Sequence, residues 1–173
     1  MEKWDVYDIN KKITGKTHIR GEKLKDGEYH LYTHTWICNN NGEFLIQRRS
    51  MSKTLPGIYA THGGSVIAGE ISVEGARREI IEEVGLDIPK NYFKLIYEHT
   101  NVTKEHPGFM DMYFVRYDFD INRCTLDPNE VMGVMTATLN EIEDMILEGV
   151  FFDHEEIFGS EYIDALRKAS SNL

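Results

Sequence analysis

The chain has 173 residues, of which 41% are apolar, and a formal net charge of −10. That length fits a single compact domain over residues 1–173 with a substantial core, and no apolar run approaches the roughly 20 residues that a membrane-spanning helix needs. The acidic balance argues against a nucleic-acid partner, because phosphate backbones are gripped by clustered Lys and Arg.

The N-terminus, Met1-Glu-Lys-Trp-Asp-Val, carries no apolar signal-peptide core, so a cytoplasmic location is expected. Trp4–Asp8 and Lys16–Arg20 are predicted to pair as a hairpin with Gly15 near its turn. His34–Cys38 and Phe44–Arg48 are apolar-rich strands around Asn39-Asn40-Asn41-Gly42, a strong turn signal. His30 and His34 stand four apart in extended chain and share a face, which suits core or hydrogen-bonding histidines. Arg48, Arg49 and Lys53 follow the second of those strands, and His62 precedes the pair Gly63-Gly64. A helix is expected from an N-cap at Ser72 to Val84, ended by Gly85 in the left-handed conformation and by Pro89. Beyond it come strands at Tyr92–His99 and Met110–Phe119, joined by a loop containing Pro107-Gly108, and a strand at Val131–Thr138. Helices at about 140–148 and 160–169 close the chain. Trp36, Tyr59 and Phe109 suit a core better than base stacking. Cys38 and Cys124 are the two cysteines and are expected as free thiols.

The segment from Gly64 to Leu86 carries the chemistry. On a helix, Val73, Ala76, Ile80 and Val84 fall on one narrow apolar stripe, suited to core packing. Glu79, Glu82 and Glu83 stand at i, i+3 and i+4 and gather off that stripe. Three carboxylates so close repel one another. A hard divalent cation compensates them, since Mg²⁺ takes oxygen ligands and is commonly shared with substrate phosphates. Gly63 and Gly64, with Gly69 beside Glu70, allow backbone to approach a ligand or metal closely.

The spacing resembles the Nudix box. Gly64, Glu70, Arg78, Glu79, Ile80, Glu82, Glu83, Gly85 and Leu86 fill each of its fixed positions. The resemblance extends through His34-Thr-Trp-Ile, Phe44-Leu-Ile-Gln-Arg-Arg-Ser, Lys53-Thr-Leu-Pro-Gly-Ile-Tyr and Asn129-Glu-Val-Met, which are similar to the isopentenyl-diphosphate-isomerase-like branch of that superfamily. It implies an α/β/α sandwich with a mixed central sheet and a loop–helix–loop box. The isomerases place a catalytic cysteine seven residues before the first box glutamate, where this chain has Gly63. Two of their metal-binding histidines are replaced by Ser65 and Lys23, whereas His30 and Glu130 match other ligands. Without a thiol at position 63, isomerase chemistry is disfavoured, and the complete box is what the hydrolases carry.

The expected activity is therefore Mg²⁺- or Mn²⁺-assisted hydrolysis of a diphosphate linkage in a nucleoside diphosphate derivative or a nucleotide. Glu79, Glu82 and Glu83 are the expected metal ligands, helped by backbone near Gly63 or Gly64 and by Glu70 or Glu130. Glu79 or Glu130 orients or deprotonates the attacking water. Arg78 is expected to face roughly away from the metal cluster and to pair with a box glutamate. Arg49 and Lys53 match positions that grip diphosphate in the isomerase-like branch. Two rival readings are an isomerase and a catalytically silent ligand-binding domain. A homodimer is compatible with the sequence, though nothing in it separates dimer from monomer.

Overall fold

The computed structural model describes residues 1–103 and 107–171. The antiparallel hairpin β1 (Lys3–Tyr7) and β2 (Ile13–Ile19) comes first. Its turn lies at residues 8–12 rather than at Gly15, which sits inside β2. The Asp8 carboxylate accepts from the N–H groups of Asn10 (2.8 Å) and Lys12 (3.1 Å), an Asx turn, and Lys11 takes φ 59°. Lys11 Nζ then reaches the sheet, contacting Glu98 and the buried Asp111 at 2.5 Å each. One side chain thus tethers the hairpin to the body of the fold.

The remaining strands are β3 (His30–Cys38), β4 (Glu43–Arg49), β5 (Tyr59–Ala60), β6 (His62–Ser65), β7 (Phe93–Asn101), β8 (Gly108–Arg116) and β9 (Val131–Thr138). They form one seven-stranded sheet ordered β5-β4-β3-β8-β7, with β6 on β3 and β9 on β4. The β3–β8 pair is parallel and the others antiparallel, so the sheet is mixed. The helices are α1 (Ser72–Val84), α2 (Leu139–Leu147), α3 (His154–Phe158) and α4 (Ser160–Ser171).

Strand alternation sends neighbouring side chains into two different cores. Trp36, Cys38, Phe44, Ile46, Met110, Met112 and Phe114 pack with Ile142, Phe158, Tyr162, Ile163 and Leu166 of α2, α3 and α4. Ile37, Leu45 and Val115 pack on the opposite face with Ile80 and Val84 of α1. The result is the α/β/α sandwich. Cys38 belongs to the first core and Cys124 borders the second, so the sheet separates the two free thiols. Among the described residues no helix is long and apolar enough to cross a membrane.

Several boundaries differ from the sequence reading. The eighth strand ends at Arg116 rather than Phe119, and part of the loop before it lies outside the described residues. The N-cap of α1 is Ile71, not Ser72. The hydroxyl of Ser72 donates instead to Asp111 Oδ2 at 2.5 Å, and the Glu74 carboxylate accepts from the Ile71 N–H at 3.4 Å. Trp36 and Phe109 are core residues as expected, while Tyr59 is half-buried under the Arg48 guanidinium.

The strand β6 was not expected, since His62-Gly63-Gly64-Ser65 has little strand propensity. It forms because β3 offers a partner edge: Thr33 lies opposite Gly64 and His34 opposite Gly63. A Cβ on Gly63 would lie 2.0 Å from the Thr33 carbonyl oxygen, so only glycine fits without moving backbone. Gly63→Ala should therefore cost about 2–3 kcal/mol, or roughly 4–12 °C in Tm for a chain of this size. Gly133→Ala, where a Cβ meets nothing within 4 Å, serves as the control. Thermal melts of both variants check this, and an unchanged Tm in Gly63→Ala would show that the strand contact is looser than described.

Candidate active site

The apolar stripe of α1 fixes where its glutamates point. Ala76, Ile80 and Val84 are fully buried against the sheet, which turns Glu79, Glu82 and Glu83 toward the rim beside β6. Gly85 closes the helix at φ 72°, as its sequence position predicts. Gly64 lies directly under Glu79, where a Cβ would sit 2.4 Å from the carboxyl carbon. The absent side chain lets the carboxylate rest on the backbone.

Arg78 is the centre of this cluster. The sequence reading had it facing roughly away from the cluster while pairing with a box glutamate; the pairing is found, but the side chain lies among the glutamates rather than away from them. Its Nε donates to Glu70 Oε1 (3.0 Å), Nη1 to Glu79 Oε1 (2.8 Å) and Glu82 Oε2 (2.9 Å), and Nη2 to the Ser65 carbonyl (2.8 Å). Burial opposes the charge on this guanidinium, but the bonds to Glu70 and Glu79 outweigh burial and hold its pKa above the ordinary value. The third glutamate has a different partner. Glu83 is 5% exposed and its Oε2 lies 2.9 Å from Nδ1 of the fully buried His62. His62 is thus a support of the helix cluster, a role the sequence left open.

Each of the three box carboxylates keeps one oxygen without a protein donor among the described residues. Glu79 is bonded through Oε1, Glu82 through Oε2 and Glu83 through Oε2, which leaves Glu79 Oε2, Glu82 Oε1 and Glu83 Oε1. Anionic oxygens on adjacent turns of one helix are the donor set that Mg²⁺ and Mn²⁺ prefer, so the residues present fit such an ion. The side chains are not drawn into a closed cage of three or more ligands among the described residues, because Arg78 already holds one oxygen of Glu79 and one of Glu82. Glu70 is placed differently. Both its oxygens face Arg78 Nε, at 3.0 and 3.3 Å, and Oε2 also accepts from the Ile67 N–H.

These groups border a cavity of about 520 Å³. Its wall includes Gly64, Arg78, Glu79, Glu82 and Glu83 on one side, and Arg49, Lys53 and Glu130 on the other. The structure therefore brings together every candidate residue except Glu70, which stands behind Arg78. Lys53 is paired with the Glu130 carboxylate, and Arg49 donates through Nε to the Thr54 carbonyl at 2.8 Å. Arg48, by contrast, turns onto Tyr59 and the Gly57 carbonyl.

Glu2 and Arg20, joined by a 2.8 Å ion pair, also line the cavity. Sequence reasoning missed them because they reach the site through the tethered hairpin, and no local motif marks them. Arg20 adds a cation, beside Arg49, Lys53 and Arg78, to a cleft in an acidic protein. The Gly63 contact with Thr33 also bears on the isomerase reading, since a cysteine side chain there would collide with backbone.

Glu79 has the most shifted carboxyl in the cavity. Burial, followed by the charge of Glu83, raises it to about 7 from 4.5, against the opposing effect of Arg78. A group whose folded pKa is raised stabilises the native state below the unfolded pKa and loses that contribution as pH rises through the folded one. Metal-free protein should accordingly lose stability through this group between about pH 4.5 and 7, and Glu79→Gln should flatten that portion of the profile. Urea melts in chelator across this range provide the check; an unaltered profile in the variant would contradict the burial of the charge.

Comparison with known proteins agrees with this geometry. Residues 28–158 match the NUDIX domain model. An uncharacterized Nudix hydrolase of Listeria monocytogenes is 37% identical over 158 residues, covering 89% of this chain and 90% of its own. Among solved structures, a Deinococcus radiodurans protein superposes with a TM-score of 0.70 at 24% identity, over 89% of this chain and 94% of its own. The NUDIX domain of Shewanella oneidensis NrtR, determined in complex with ADP ribose, superposes at 0.62 with 16% identity, over 82% and 88% of the two chains. With the box glutamates assembled around Arg78 and the family model spanning most of its length, this chain belongs to the Nudix hydrolases.

Proposed function

We propose that this Nudix hydrolase uses Mg²⁺ or Mn²⁺ to cleave a diphosphate linkage in a nucleoside diphosphate derivative or nucleotide. One observation carries the reading: carboxylate oxygens of Glu79, Glu82 and Glu83 that have no donor among the described residues share a cavity with Arg20, Arg49 and Lys53. A cleft with carboxylates alone would repel a diphosphate, and one with cations alone would have no means of activating water. Both are present. Glu79, Glu82 and Glu83 would hold the ion, which when bound would neutralise phosphate charge and acidify water.

The chain's own residues divide the remaining work. Arg78 fixes Glu79 and Glu82 through the bonds described above, and Glu70 anchors Arg78 in turn. Gly64 gives Glu79 its seat. Glu79 and Glu130 both border the cavity, and to one of them we assign the orienting or deprotonation of the attacking water. Arg49 and Lys53 take the phosphate charge, Arg49 by a forked contact and Lys53 as a point charge. Support for the substrate class comes from the NrtR domain, which has this fold and was determined with a nucleoside diphosphate derivative.

Glu83→Gln removes one ligand charge without changing volume. Hydrolysis should fall at least about a hundredfold, or ~2.7 kcal/mol of barrier, with the fold retained. Activity within threefold of the parent would refute the metal assignment. Arg49→Ala should raise KM about tenfold, or ~1.4 kcal/mol. Lys53→Ala should raise it less, because Lys53 is shared with Glu130. Both effects should shrink as salt screens the attraction. Steady-state kinetics at two ionic strengths test this, and an unchanged KM in both variants would return the residues to ordinary surface.

A further inference from the structure

On the face of the sheet opposite α1, helices α2, α3 and α4 line a groove of about 490 Å³ that shares no wall residue with the carboxylate cleft. Ile146 of α2 and the buried Ile163 of α4 form its apolar part, and Leu147 stands beside them. Leu147 is 86% exposed, more than any other large apolar side chain of the described residues except Met1. Glu143, Asp153 and Glu156 supply charged walls. We infer that this groove docks a basic amphipathic helix presented by another protein. The inference does not rest on the proposed reaction, because no residue assigned to hydrolysis lines the groove.

Sequence and structure agree on the charge of this helical layer. Residues 124–166 contain no Lys or Arg, yet nine of the chain's 29 acidic residues fall between Leu139 and Leu166. Charge that served solubility alone would be spread over the surface with both signs mixed. Arg167 shows what the surface accepts. From α4 its guanidinium reaches α2, donating to Glu143 Oε1 at 2.8 and 3.1 Å, and a further nitrogen lies 3.4 Å from Asp164. A cation is thus seated on the Glu143 side of the groove. Asp153 and Glu156 have no cationic partner among the described residues, and neither do Asp144 and Glu148. Asp153 accepts the Glu156 N–H through Oδ1 at 3.0 Å, which leaves its Oδ2 without a donor among the described residues.

These features select the occupant. A helix laid in an apolar groove anchors through side chains at i, i+3 and i+4. Aliphatic anchors on Ile146, Leu147 and Ile163, with Lys or Arg beside them facing Asp153 and Glu156, satisfy both halves of the surface. Basic side chains suit that arrangement, since their stems cover apolar surface while their heads reach the carboxylates. A purely apolar segment would fill the groove and leave the acidic wall without counter-charge. A second copy using the same groove would set acid against acid, because a two-fold contact repeats one patch on both subunits. Nucleic acid and anionic lipid surfaces are repelled for the same reason.

The probe is a synthetic peptide of Leu and Lys, about 14 residues or four turns long, patterned as an amphipathic helix. Its binding to the whole protein is measured by fluorescence anisotropy and located by amide NMR shifts. The comparison peptide has the same composition with the pattern broken. The parent should bind the patterned peptide at least about tenfold more tightly, with shifts centred on Ile146, Leu147 and Ile163. Leu147→Ser should weaken binding about tenfold, whereas Val102→Ser, which also removes an exposed apolar side chain, should leave it unchanged. Asp153→Asn with Glu156→Gln should weaken it at least about fivefold, and less as salt rises. Glu22→Gln with Asp26→Asn, an equal change of charge on the loop after β2, should not. Thermal melts confirm that each variant is folded. Equal binding of the two peptides, or unchanged binding in either groove variant, would overturn the inference. So would oligomers of the unliganded parent that dissolve in Leu147→Ser, since a second copy would then cover the groove.

Discussion

The architecture of the site depends on one guanidinium. Glu79, Glu82 and Glu83 crowd a single rim of α1, and like charges at these spacings destabilise a helix. Arg78 resolves part of that conflict by bonding Glu79 and Glu82 on one side and Glu70 on the other, while its fourth N–H holds the Ser65 carbonyl. The last of these contacts also joins the helix to β6, the strand that borders it. Without Arg78, Glu79 and Glu82 would lose the partner they share. His62 does the corresponding work for Glu83 from within the core. What remains is a set of oxygens whose charge is only partly offset, which is the condition under which a divalent cation is most strongly bound.

Around this cluster the fold acts mainly to bring distant pieces of chain together. The parallel β3–β8 pair sets the two cores, and α1 packs on one of them through Ile80 and Val84. The N-terminal hairpin is pinned by Lys11 to Asp111, a residue that also receives Ser72 at the start of α1. That single buried carboxylate therefore coordinates the hairpin, the helix start and the sheet. Through it Arg20 and Glu2 arrive at the cavity wall. On the opposite side, the end of β4 supplies Arg49, the loop after it Lys53 and Thr54, and the segment before β9 Glu130, so the cleft is framed by segments far apart in sequence.

How much of this could be read in advance follows the range of the interactions. The box helix was legible because its signals are local: an apolar stripe at helical period, a terminal glycine, and glutamates at fixed offsets. The apolar-rich runs of β3 and β4 likewise announced strands. The strand β6 was not legible, because its residues have no strand preference and adopt that form only where β3 presents an edge. Ser72 was misassigned as the N-cap since its hydroxyl has a tertiary partner, Asp111, that competes with the helix start. The position of Arg78 escaped for a related reason: periodicity gives the direction of a Cβ, but a long side chain can bend back toward the charges that attract it. Arg20 and Glu2 left no local trace at all.

The central claim is that the carboxylate cluster serves metal-dependent cleavage of a diphosphate. The most direct measurement is hydrolysis of a panel of nucleoside diphosphate derivatives by the whole protein, with Mg²⁺, with Mn²⁺ and with chelator, identifying the products. The account predicts release of a nucleoside monophosphate and a phosphorylated partner from at least one compound, restored by either ion and abolished by chelation. Turnover that persists unchanged in chelator, or an absence of cleavage across the panel with both ions present, would contradict it.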